Sequence, residues 1–178
     1  MTPYEQELVS TVGESPKFRV ILKEQSWFMK VLSWLLFFNR DFMTSFVTTI
    51  GDYMWTPAAW ENDWDDKVKA AILRHERVHL RQQKRYGMTL YILRYLCWPL
   101  PMFLAYGRYL LEREAYEESL QAYADYHGVD VLMDANLRAG MIRHFTSAEY
   151  GWMWPFPKAV ARWYDQAIER VRGHSKRP

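Results

Sequence analysis

No five residues restrict the fold of this chain more than His75-Glu76-Arg77-Val78-His79. Histidines four apart on a helix project to one side, their Cβ atoms about 5–6 Å apart, so both imidazoles reach one metal ion. The flanking residues supply the helix. Val68, Ala71, Ile72, His75, Val78, His79 and Gln82 recur every three or four positions, while Lys69, Arg74, Arg77, Arg81 and Lys84 occupy the other side. Asp63, Asp65 and Asp66 suit the positive end of a helix, and Gly87 suits its exit. The pattern predicts a helix from Trp64 to Tyr86 with both histidines facing the core. Histidines there need partners, because a buried polar group without one is costly. Glu76, beside the first histidine, is placed to act as general base on a water bound to such a metal.

The rest of the chain reads as one domain, residues 1–178. It is long enough to bury a real core and has ordinary apolar (49%) and charged (25%) fractions. Residues 3–12 read as a short helix and Lys17–Lys23 as a strand. Phe46–Trp55 reads as a hairpin turning at Gly51-Asp52, its second strand ending at Thr56-Pro57. Ser26–Phe38 reads as a buried helix, too short for the ~20 residues that span a bilayer. Leu90–Leu111 is longer, but Arg94, Arg108, Pro99, Pro101 and Gly107 argue for two core helices joined by a bend and against membrane contact. Further helices are expected at Tyr109–Tyr126, from Asp130 or Asp134 to Phe145, and at Lys158–Arg172. A turn-like aromatic segment, Tyr150–Pro157, precedes the last of them.

Composition excludes some roles. A net charge of +2 gives no ground for nucleic-acid binding, and Arg170, Arg172, Lys176 and Arg177 read as a solvated end. The single cysteine, Cys97, lies in an apolar stretch, reads as buried, and allows no internal disulfide. The first residues, MTPYEQELVSTVGESPK, do not resemble a secretory signal peptide, so the chain is expected in the cytoplasm, or released without signal-directed export. The aromatic fraction, 17%, is high enough to suggest binding or assembly surfaces.

Catalytic zinc takes three protein ligands and leaves a position for water. Metzincins place a histidine six residues past the second ligand; here that residue is Arg85. His127, His144 and His174 are the other histidines. The helix expected at 109–126 offers Glu112-Arg113-Glu114-Ala115-Tyr116, thirty-three residues past His79, and Glu112 could complete a His2Glu site beside the small Ala115. Glu114 is the fallback ligand.

HERVH followed by EREAY resembles the gluzincin group of zincin-like zinc metallopeptidases, most closely the small minimal forms of bacteria and phages. The resemblance covers roughly residues 45–120, the expected metal-site core. It implies an α+β, mainly α zincin-like fold: a small antiparallel or mixed sheet with an edge hairpin packed on the HExxH helix, then a helical C-terminal half. It implies Zn2+ held by His75, His79 and Glu112, with Glu76 as general base, in a metalloendopeptidase acting on a peptide or protein. It also implies that the hairpin's edge strand binds extended substrate by β-augmentation. Where the family often has Asp or Asn four residues past the third ligand, this chain has Tyr116. Gln82 is a candidate to support a liganding histidine. Tyr91, Tyr116, Tyr150 and His144 are candidates to stabilise the oxyanion. The alternative is a structural or assembly protein, such as a virion-associated phage component, with little or no catalysis. Its aromatic surfaces at 26–38 and 150–157 would then be protein–protein interface.

Overall fold

The computed structural model describes all residues except 36–38, 40, 98–103, 149–150 and 176–178. The chain forms two compact units, Met1–Met88 and Thr89–Pro178. It is mainly helical with a small mixed sheet.

The first unit begins with helix α1 (Pro3–Glu14). Thr2 and Glu5 close its start reciprocally: each backbone N–H donates to the other's side chain. Strand β1 (Arg19–Leu22), a 3-10 turn (Lys23–Gln25) and helix α2 (Trp27–Leu35) follow. Strands β2 (Thr48–Ile50) and β3 (Tyr53–Thr56) form the expected hairpin, and helix α3 (Ala59–Asn62) leads to helix α4 (Asp66–Tyr86). The sheet order is β1-β3-β2, with β3 parallel to β1 and antiparallel to β2. Ile50 pairs with Tyr53 across the turn. Gly51 has φ 59° there, a region that side chains with a Cβ avoid, and Asp52 does not share it. A positive φ at the first turn position is the pattern of a type II′ hairpin. The Gly51 N–H donates to Gln83 Oε1 at 2.8 Å, tying the turn to α4.

Alternation in β3 sends Met54 and Thr56 inward, while Tyr53 stays exposed and Trp55 partly so. Met54 packs with Phe18, Trp60, Leu73 and Leu80 into one core. Helix α4 ends where expected and starts two residues later than expected, at Asp66, with Asp65 capping Lys67 N–H and Gly87 (φ 74°) as exit. Its basic side differs from expectation. Arg77 is buried: its guanidinium lies 2.9 Å from Glu7 and 3.7 Å from Glu14, both on α1. Arg81 and Lys84 also engage Glu14. Helix α1 covers Arg77 and brings the carboxylates that offset the cost of its burial, while Arg81 and Lys84 stay exposed. Helix α2 departs from expectation too. Met29 is buried, but Trp27 is 75% and Trp34 77% exposed, and Phe28, Val31 and Leu35 are exposed as well. Residues 36–38 of the expected helix lie outside the described residues.

The second unit comprises most of helix α5 (Met88–Cys97), helix α6 (Tyr106–His127), a 3-10 turn (Val129–Met133), helix α7 (Ala135–Thr146) and helix α8 (Pro157–Ser175). The expected bend at Pro99 and Pro101, the Cys97 side chain and Tyr150 lie outside the described residues. Asp134, not Asp130, caps α7, accepting from the N–H groups of Asn136 and Leu137. The core gathers Leu120 of α6, Leu132, Phe145 of α7, and Val160, Trp163 and Tyr164 of α8. The Tyr164 hydroxyl satisfies itself on the Leu132 carbonyl at 2.9 Å. Trp152 and Phe156 are exposed, whereas Met153 is buried and Trp154 stacks on Tyr109. Among the described residues no helix is long and apolar enough to cross a membrane.

Candidate metal centre

On α4, His75 and His79 meet as their spacing requires. Their Nε2 atoms are 3.2 Å apart, with ring centroids 4.9 Å apart and planes at 79°. His79 is buried and His75 half-buried. One turn further, the Gln82 side chain has no exposed surface, and its Oε1 lies 2.9 Å from His79 Nδ1. That carbonyl oxygen can only accept, so His79 donates through Nδ1 and keeps its proton off Nε2. The Nε2 lone pair of His79 is thus turned toward His75. Two imidazole nitrogens at this separation repel unless a proton or a cation stands between them. The pair is spaced so that it could share one ion, and Gln82 stands at the Nδ1 position where a carboxylate often supports a liganding histidine.

Glu76 is 7% exposed, and its Oε2 has no hydrogen-bond partner among the described residues. A buried carboxylate oxygen left in that state is expensive in a purely structural role. In the same unit Lys23 lies with no exposed surface. Its Nζ donates to the Phe42 carbonyl at 2.6 Å and sits 3.7 Å from the centre of the Phe42 ring. Burial pulls this amine down to about 7, and the Glu76 carboxylate opposes the shift. Lys23, which the sequence presents as an ordinary strand end, therefore belongs to the electrostatic surroundings of Glu76.

On α6, Glu112 is buried, whereas Glu114 is exposed. The Tyr95 hydroxyl of α5 donates to Glu112 Oε1 at 2.5 Å. The candidate ligand atoms of His75, His79 and Glu112 all lie within 4.8 Å of one another, a group that could hold a metal ion. The Tyr116 hydroxyl lies 3.0 Å from His144 Nδ1, and its ring packs on Phe145. Tyr91 is buried and stacks on Tyr95. Tyr95 escaped sequence reasoning, since a hydroxyl–carboxylate pair seventeen residues apart leaves no periodic trace.

Comparison with protein-family models, curated proteins and solved structures finds no match for this chain.

Proposed function

We propose that the chain is a zincin-like zinc metallopeptidase of the gluzincin type, holding its ion with His75, His79 and Glu112. The observation that carries this reading is the convergence of two imidazole nitrogens and one carboxylate, with Gln82 fixing the tautomer of His79. Two nitrogens and one oxygen suit zinc better than calcium or magnesium, which prefer oxygen throughout. The unpaired Oε2 of buried Glu76 supports the fit, because a site that admits water gives that atom a partner.

Bound zinc supplies Lewis acidity, polarising a carbonyl and making water a nucleophile near neutral pH. Glu76 accepts the proton of the attacking water and returns it to the leaving amine. Gln82 holds the His79 ring, and Tyr95 holds the Glu112 carboxylate. Strand β2 lies at the sheet edge, where an extended peptide would pair with its free side.

Cleavage of a mixed peptide library by the zinc-loaded parent and by Glu76→Gln tests the reading. The parent should cleave, and the variant should bind zinc and not cleave. Equal cleavage by both would refute the role of Glu76. Zinc binding without cleavage by either would favour the second reading, an assembly protein on a zincin-like domain. The exposed apolar side of α2, with Trp27 and Trp34, favours that alternative.

A further inference from the structure

Tyr95 is gripped at two points by one helix. Arg108 and Glu112 are one turn apart on α6 and so share a face. The Arg108 guanidinium lies 4.9 Å from the centre of the Tyr95 ring, while Glu112 Oε1 accepts the Tyr95 hydroxyl at 2.5 Å. From its own helix, Tyr91 stacks on the same ring, centroids 5.6 Å apart and planes at 29°. The ring is therefore fixed along its faces and at its polar end. A cation over a phenol also draws electron density from the ring, which makes the hydroxyl a better donor. The short separation is that of a charge-assisted O–H···O bond to a carboxylate.

Little in this arrangement serves burial alone. Glu112 is 4% exposed in a helix whose other buried positions are mostly small or apolar, Gly107, Leu111, Ala115 and Leu120 among them. A carboxylate kept there needs a strong donor, and Tyr95 provides one. The phenol donates to one oxygen, and a carboxylate has about four lone-pair sites in all. Such a donor removes the rotational freedom that a free glutamate would lose on binding a metal.

We propose that Tyr95 is a positioning residue for the metal centre, presenting the Glu112 carboxylate in its ligating orientation, with Arg108 strengthening the hydroxyl that does so. This rests on the metal-site reading above. It assigns the ordering of the third ligand to α5, a helix outside both sequence motifs.

Tyr95→Phe removes one oxygen and leaves the stacking intact. Zinc affinity of the parent and of this variant would be measured by competition with a chromophoric chelator, beside thermal unfolding of both apoproteins and the visible spectra of their cobalt(II) forms. The variant should bind zinc roughly 10–100-fold more weakly. Its cobalt spectrum should change and its apoprotein should melt with the parent. Arg108→Met should weaken binding in the same direction by less. Equal zinc affinity and an unchanged cobalt spectrum in Tyr95→Phe would overturn the proposal while leaving the metal site standing. An apoprotein of Tyr95→Phe that melts well below the parent would also overturn it, since the hydroxyl would then serve the fold. A parent that binds no zinc would instead refute the underlying metal-site reading.

Discussion

Gln82 Oε1 accepts the Nδ1 proton of His79 at 2.9 Å, from one turn further along the same helix. This bond places the His79 proton on Nδ1 and turns Nε2 toward His75, 3.2 Å away, within the group that could hold a metal ion. Replacing Gln82 with Leu keeps the volume roughly constant and removes the acceptor. Zinc affinity should fall roughly 10–100-fold, and the apoprotein should lose about 1–3 kcal/mol for the stranded imidazole N–H. A chelator competition and a urea titration read the two effects separately.

Lys23 gives the fold a pH dependence of known sign. Its amine titrates at about 7 in the folded protein, against an ordinary value of 10.5. Between those values the unfolded chain binds the extra proton, so stability should rise as pH increases from 7 toward 10.5. The penalty is fully present below 7. Lys23→Met should flatten this rise without lowering stability at neutral pH, because an apolar side chain in that site avoids burying a charge. Urea unfolding of both proteins at several pH values measures the difference.

Arg77 bridges α4 to Glu7 and Glu14 of α1 from a buried position. Arg77→Ala should destabilise the first unit by about 3 kcal/mol, since Glu7 loses its counter-charge in a poorly hydrated place. Arg77→Ala combined with Glu7→Gln should recover part of the loss. A double-mutant cycle in urea reports that coupling.

Phe145 is fully buried against Tyr109 and Trp163 in the second unit. Phe145→Ala should cost about 3–5 kcal/mol through lost burial and the cavity left behind. Chemical denaturation followed by tryptophan fluorescence would register it.

The parts of the molecule legible in the sequence are those with a period or a turn chemistry. Helix α4 announced both its ends through Asp65 and Gly87, and the hairpin announced its turn through Gly51. Long-range pairing was not legible. Arg77 has the pattern of a solvated face until α1 supplies Glu7, and Lys23 reads as a strand terminus until Phe42 closes over it. The exposure of Trp27 and Trp34 was missed because an apolar run carries no mark of which side finds a partner. At the site, the histidines were visible by spacing and Gln82 by helix phase. Tyr95 was hidden because side chains from two helices meet there by tertiary packing alone.

The metal content of the purified protein tests the central claim most directly. Elemental analysis after dialysis against trace zinc should find about one zinc per chain in the parent. His75→Ala and His79→Ala should each lose it, and Glu114→Ala should keep it. A parent without zinc, or a His75→Ala/His79→Ala double variant that retains it in full, would contradict the account.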